Sequence, residues 1–255
     1  LKLESDKSVI SIEQLYFSYN SALVLEDVSL SVKEKDFIWI VGPNGGGKTT
    51  LLKLMLGLLT PKKGNVLVFD KPPSEVRSRM GYMPQVANLD PKFPVNTFDI
   101  ALMGRLGNGT RFGPFRQRDK DAAERALKET GLYDLRNRPF SELSGGQQRR
   151  LLIARAIAGD PDILILDEPT ANLDLVVEKE LFNILKKLNE RLTIIMVSHE
   201  PAFVLEFVKR VICVSRKVSE HPTCEVDGQF MGDLYGGELR MVRHDQHVHK
   251  KEKHD

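Results

Sequence analysis

Cysteine is nearly absent: Cys213 and Cys224 are the two among 255 residues, and no CxxC pair occurs. A disulfide framework is therefore not expected, and the chain reads as a reduced, cytosolic one. Charge of one sign is also missing. The 37 Lys and Arg stand against 35 Asp and Glu, and a net +2 gives no electrostatic case for nucleic acid as a partner. No apolar run approaches the ~20 residues that a membrane-spanning helix needs. The stretch Leu1-Lys2-Leu3-Glu4 lacks the charged-then-apolar order of a secretory signal. Any link to a membrane is thus expected to run through a partner. No internal repeat, coiled-coil heptad or long low-complexity segment is visible. What remains is ordinary globular material, 41% hydrophobic and 28% charged, suited to one large domain or two subdomains sharing a core.

Within that material, one stretch stands apart: Gly42-Pro43-Asn44-Gly45-Gly46-Gly47-Lys48-Thr49-Thr50. The β-type run Phe37-Ile38-Trp39-Ile40-Val41 precedes it and a leucine-rich helical run, Leu51 to Leu59, follows. Strand, glycine loop and helix is the context of a phosphate-binding P-loop (Walker A). Glycines let backbone N–H groups turn inward around a polyphosphate, and the helix N-terminus adds its own N–H groups and dipole. Lys48 is expected to reach the β- and γ-phosphates, and the Thr49 hydroxyl to ligate Mg²⁺. The chain is expected to bind a nucleoside triphosphate.

The rest of the pattern is α/β. Short β-type segments, Val9–Ile12 and Val28–Val32, flank Leu15-Tyr16-Phe17-Ser18-Tyr19 and a polar turn at Asn20-Ser21, suggesting an antiparallel sheet ahead of the P-loop strand. Pro61 to Asn65 reads as a turn, with strands at Val66–Phe69 and Met80–Met83, the latter ending at Pro84-Gln85. From about residue 88 to 158 the character changes. Glycines, prolines and the arginines at 105, 111, 116 and 118 break up its start; a helix follows, with Asp121 and Glu124 as a capping-box pattern and Gly131 as its stop. This section reads as a helical insertion. Strands at Ile163–Leu166, Thr193–Val197 and Val211–Val214 then alternate with helices at Leu175–Leu188 and Ala202–Val208, which means a largely parallel sheet. The nucleotide domain is thus expected over 1–215, and 216–255 as a polar extension.

Two further motifs narrow the chemistry. Ile163-Leu164-Ile165-Leu166-Asp167-Glu168 has the form of a Walker B strand: Asp167 would support Mg²⁺, directly or through water, and Glu168 would polarise attacking water as a general base. Side-chain alternation is expected to point Glu168 away from Asp167. Leu143-Ser144-Gly145-Gly146-Gln147, starting 20 residues before Ile163, opens a helix; Ser144 suits its N-cap and the glycines bare N–H groups, a second phosphate-binding device.

A P-loop, then LSGGQ, then ILILDEP resembles the ATP-binding-cassette (ABC) ATPase family, over residues 8–214. The resemblance implies a P-loop ATPase core with an N-terminal antiparallel β subdomain and an inserted α-helical subdomain. It implies a head-to-tail dimer of two copies, with two Mg-ATP sandwiched between each P-loop and the other copy's LSGGQ. Tyr19, 29 residues before Lys48, matches the aromatic that stacks on adenine, with Tyr16 and Phe17 as nearby competitors. Gln85 resembles the Q-loop glutamine that touches Mg²⁺ or the attacking water. Ala171-Asn172-Leu173-Asp174 resembles the D-loop at the dimer seam, and His199 the switch histidine near the γ-phosphate. Gly46 and Thr49 stand where Ala and Ser often appear, changes that preserve the chemistry.

The family drives membrane transport in most cases. A single cassette without a coiled-coil insertion disfavours the repair and translation classes. Val86 to Arg118 lies where transport cassettes receive a helix from their permease; Phe93, Phe98, Phe112 and Phe115 either line such a groove or fill the core of the insertion. The ending, from Leu234-Tyr235-Gly236-Gly237 to Val242-Arg243-His244-Asp245, is similar to ATPases of zinc, manganese or iron importers, which work with a two-copy permease and an extracytoplasmic binding protein. Four of the six histidines lie in this tail, and His244, His247 and His249 either gather on a metal or belong to a solvated tail. The expected function is therefore ATP hydrolysis energising import of a divalent metal, at the cytoplasmic face of the inner membrane. The alternatives are a soluble assembly or regulatory ATPase of the same fold, as in iron–sulfur assembly, and a different P-loop enzyme such as a kinase, against which LSGGQ argues.

Overall fold

The computed structural model describes residues 8–85, 94–106, 114–171, 173–198 and 208–222. Strands β1 (Ser8–Tyr19) and β2 (Ala22–Lys33) form an antiparallel hairpin around Asn20 and Ser21, as the polar turn implies. Strand β4 (Lys63–Val68) pairs antiparallel with the other edge of β1, giving the order β2-β1-β4. This strand starts three residues earlier than Val66, because the turn expected over 61–65 is replaced from Lys63 onward by pairing with Tyr16 and Glu13.

The second sheet has the order β5-β6-β7-β3-β8-β9, from β3 (Phe37–Val41), β5 (Met80–Met83), β6 (Ile163–Asp167), β7 (Thr193–Val197), β8 (Arg210–Ser215) and β9 (Lys217–Pro222). All neighbours are parallel except β9, which returns antiparallel on β8. The sheet therefore continues past Ser215, through residues whose polar sequence reads as the start of an extension. β9 is an edge strand, so its polar side chains remain in water.

Strands β3, β6 and β7 are buried along their whole length, which is why they read as unbroken apolar runs. Their alternate side chains serve two cores. Ile38, Ile40, Ile163, Ile165, Ile195 and Val197 face helix α1 (Lys48–Met55) and the antiparallel sheet. Phe37, Trp39, Leu164, Leu166, Ile194 and Met196 face the opposite layer, made by helices α4 (Gly145–Ile157) and α5 (Leu175–Asn189). Helices α2 (Thr97–Met103) and α3 (Gln117–Glu129) pack on α4 and extend this second core. Phe98 and Phe115 are half-buried and pack against it; Phe93 and Phe112 lie outside the described residues.

Two helix boundaries differ from expectation. α1 stops at Met55 rather than running to Leu59, because the chain turns at Gly57 with φ +64. α3 begins at Gln117, before the Asp121–Glu124 pattern: Asp119 accepts from the Arg116 backbone N–H at 3.0 Å and acts as the N3 acid, while Gly131, at φ +67, ends the helix as expected. The helix expected over 202–208 falls almost wholly outside the described residues. No helix among the described residues is long and apolar enough to cross a membrane.

Candidate functional site

The P-loop leaves β3 and enters α1 in a conformation held from behind. A Cβ on Gly42 would sit 2.0 Å from the Val214 carbonyl oxygen, and one on Gly46 would sit 2.7 Å from the same oxygen. Glycine at both positions is thus required by the close approach of β8. The Arg216 N–H donates to the Gly46 carbonyl at 3.1 Å, so the β8–β9 turn buttresses the loop. Gly47, at φ +104, is the N-cap residue of α1 and brings Lys48 and Thr49 into its first turn. The Lys48 ammonium donates to the Gly42 and Pro43 carbonyl oxygens at 2.7 and 3.0 Å. Burial lowers the Lys48 pKa, opposed by the charges of Glu168 and Asp167. A polyphosphate in the loop would add negative charge beside this buried cation.

Asp167 closes β6 at 1% exposure, with its carboxylate 3.5 Å from the Thr49 hydroxyl that donates to it. Burial, with Glu168 adding to it, pushes the Asp167 carboxyl above its ordinary range; the Thr49 hydroxyl and the charges of Lys48 and Lys53 offset part of this. A hydroxyl and a buried carboxylate side by side form a donor set that suits a hard divalent cation such as Mg²⁺.

Glu168 is not aimed by strand alternation. The strand ends at Asp167, and Glu168 lies at φ +52, in the left-handed region. That turn brings its carboxylate into the same cleft as Lys48 and Thr49, where the Gln85 amide donates to it at 2.7 Å. Gln85 reaches it from the end of β5, and Arg149 of α4 donates to the Gln85 backbone carbonyl at 3.1 Å. The cleft encloses about 420 Å³, and its wall is Tyr19, Val24, Asn44, Gly45, Gly47, Lys48, Thr49, Thr50, Gln85 and Glu168.

Of the three N-terminal aromatics, Tyr19 alone lines this cleft. It is 46% exposed, and the Phe17 ring packs edge-on against it with centroids 4.9 Å apart. Phe17 is buried in the core, and Tyr16 lies under the Lys63 ammonium. Ser144 caps α4 in a reciprocal box with Gln147, its hydroxyl accepting from the Gln147 N–H at 3.3 Å. Ser144, Gly145, Gly146 and Gln147 form no part of the cleft wall in this chain. Asp174 likewise stands apart; its carboxylate caps α5, accepting from Val176 and Val177 N–H groups at 3.1 and 3.0 Å. Asn172, His199, His244, His247 and His249 lie outside the described residues.

The sequence motifs do not point to Val24, Arg149 or Arg216. Arg149 carries a weak signal, two residues past Gln147; the other two are visible only once the sheets are assembled. A second cleft, of about 510 Å³, runs along edge strand β5 between Tyr82, the end of α2 at Met103 and Gly104, the exposed Leu106, and Arg155 of α4.

Residues 25–171 match the family model described as ABC transporter. A Chlamydia pneumoniae protein named "probable metal transport system ATP-binding protein" is 42% identical over 82% of this chain and 87% of its own length. Two Bacillus subtilis proteins follow: the manganese transport system ATP-binding protein MntB, 34% identical over 92% of this chain and 95% of its own, and the high-affinity zinc uptake system ATP-binding protein ZnuC, 36% identical over 82% and 92%. Among solved structures, the dimeric ATP-binding cassette MJ0796, in a post-hydrolysis state with ADP and Pi, superposes with a TM-score of 0.70 at 28% identity, covering 84% of this chain and 98% of that one.

Proposed function

The chain belongs to the ABC transporter family as an ATP-binding, ATP-hydrolysing domain, and we propose that it energises import of a divalent transition metal through a membrane permease. One observation carries the catalytic part: separate stretches of sequence deliver Tyr19, Lys48, Thr49, Gln85 and Glu168 to a single cleft. In this reading Tyr19 stacks on adenine, Gly42 to Thr50 wrap the phosphates, and Lys48 neutralises the β- and γ-oxygens. Glu168 takes a proton from the attacking water, and Gln85, already on that carboxylate, orients it. Thr49 and Asp167, with Gln85, would hold Mg²⁺, which would supply charge neutralisation at the transferring phosphoryl group. Ser144, Gly145, Gly146, Gln147 and Asp174 act on a second copy's nucleotide across a head-to-tail dimer, and His199 acts near the γ-phosphate.

The metal assignment rests on relatives whose names cite metal, manganese and zinc. Two similarly distant relatives carry different metals, so zinc, manganese and iron are all to be tested as cargo. The permease presents a helix to the cleft along β5, a reading supported by a strand edge unpaired among the described residues and by the exposed apolar Leu106. That puts the chain peripherally at the cytoplasmic face of the membrane, with an extracytoplasmic metal-binding protein as an indirect partner. We divide the chain into an ATPase domain with a helical insertion over about 88–158, followed by a polar extension that includes the histidine-rich tail.

The test is recovery of tagged Glu168→Gln chain with Mg-ATP from gently solubilised native membranes. A multi-spanning membrane protein in stoichiometric yield is expected, and its reconstitution should couple ATP turnover to uptake of one of the three metals. A soluble partner, or none, would overturn the transport reading and leave an assembly ATPase. Lys48→Ala should abolish nucleotide binding and turnover in either case.

A further inference from the structure

Trp39 is the chain's single tryptophan, fully buried in the middle of β3 on the face toward α4 and α5. Its indole N–H needs an acceptor there, because a buried donor without one is costly. It donates to the Ser198 carbonyl at 3.0 Å. Ser198 is the first residue past β7, and its hydroxyl pairs with that of Thr170 at 3.2 Å, both residues being 1% exposed. Thr170 lies two positions beyond Glu168 on the turn leaving β6. The Glu168 N–H in turn donates to the Val197 carbonyl at 2.9 Å. The exits of β6 and β7 are therefore stitched to each other twice and to β3 by the indole.

Glu168 needs such a frame. A non-glycine residue at φ +52 keeps that conformation only where its surroundings over-determine it. We propose that Trp39 is a positioning residue for ATP hydrolysis: through Ser198 and Thr170 it holds the turn that presents the Glu168 carboxylate to the cleft. The proposal rests on the reading of Glu168 as the general base. It separates two properties that share β3. The P-loop at the end of the strand binds nucleotide, while the indole acts sideways, on the adjoining strand exits.

The experiment uses the full-length chain with Mg-ATP, measuring single-turnover hydrolysis alongside affinity for a non-hydrolysable ATP analogue. Trp39→Phe keeps a ring and deletes the N–H; Thr170→Val keeps the side-chain shape and deletes the hydroxyl link. Both should lower the hydrolysis rate roughly tenfold or more, since misplacement of a catalytic group by about 1 Å can cost ~100-fold, and both should leave analogue affinity within about twofold. Wild-type rates in both variants would overturn the proposal. So would affinity falling in step with rate, which marks a merely structural role for the strand. If Trp39→Phe does not fold, Thr170→Val decides by the same two measurements. Glu168→Gln, run in parallel, isolates the underlying reading: turnover retained there sinks the general-base role, whereas an inactive Glu168→Gln beside fully active Trp39 and Thr170 variants sinks the positioning alone.

Discussion

Asp167 shows how a single site residue trades stability for function. Its raised pKa means that the folded chain binds a proton more tightly than the unfolded chain. The corresponding stability is present below the unfolded value and is lost as pH rises through the raised folded value. At neutral pH the ionised carboxylate therefore costs stability until a cation arrives. Asp167→Asn should raise the melting temperature of the nucleotide-free protein at pH 7, with the gain shrinking as pH falls toward about 4, the ordinary carboxylate range. The same variant should lose most of the stabilisation that Mg-ATP confers on the wild type. A lower nucleotide-free melting temperature at pH 7 would show that Thr49, Lys48 and Lys53 already compensate the charge. At this scale the sequence is legible where chemistry demands a residue type, as with Lys48, Thr49 and Asp167. Orientation is another matter. Glu168 reaches the cleft through a left-handed turn that no alternation rule foresees, and Trp39 reads as one more apolar residue of a buried strand until Ser198 is brought beside it. Gly46 is a similar case: glycine is interchangeable with alanine there as sequence, but the Val214 carbonyl leaves no room for a methyl group.

At the scale of elements, motif residues also do structural work. Asp174 accepts two backbone N–H groups at the start of α5. Asp174→Ala should cost about 1 kcal/mol, the usual value of an N-cap, read as a drop of roughly 2–4 °C in melting temperature. Asp174→Asn, also a good cap, should restore most of it. ATP turnover then distinguishes the two roles: if Asp174 also acts across a dimer seam, Asp174→Asn stays slow while its melting temperature recovers, and full recovery of both confines it to capping. Strands β3, β6 and β7 and helices α4 and α5 were legible because apolar runs and a Ser-x-x-Gln cap carry local signals. The helical section was less so. Arg105, one of several arginines in a glycine-broken stretch, is in fact buried beside Asp119 at 3.1 Å and the Ala158 carbonyl at 3.0 Å, tying α2 to the start of α3 and the end of α4. A long-range buried ion pair leaves no periodic trace in sequence. Neither does β9, whose polar residues pair only because β8 lies alongside.

At the scale of the whole molecule, the proposed site divides into two parts on one chain. Ser144 to Gln147 offer a helix N-terminus that lies outside the cleft wall of their own chain. Beside them α5 begins with Leu175 and Val176, 63% and 71% exposed, and Val177 packs so closely on Gly146 that a Cβ there would meet it at 2.4 Å. The N-terminus of α4 and this apolar step, packed together, suit the proposed surface that closes on a second copy when nucleotide neutralises the P-loops between them. Association should then depend on nucleotide and on blocked hydrolysis. Glu168→Gln with Mg-ATP is expected to double in mass by light scattering. The same variant without nucleotide, or combined with Lys48→Ala, should remain a single chain. On the proposed two-copy site, wild-type turnover per chain should rise with protein concentration. Leu175→Lys with Val176→Lys, outside the cleft, should weaken that dependence while leaving ATP-analogue binding to the single chain unchanged. A Glu168→Gln protein that stays a single chain at saturating Mg-ATP, with turnover per chain independent of concentration, would mean that one copy completes the site by itself, and would overturn the role proposed for Ser144 to Gln147.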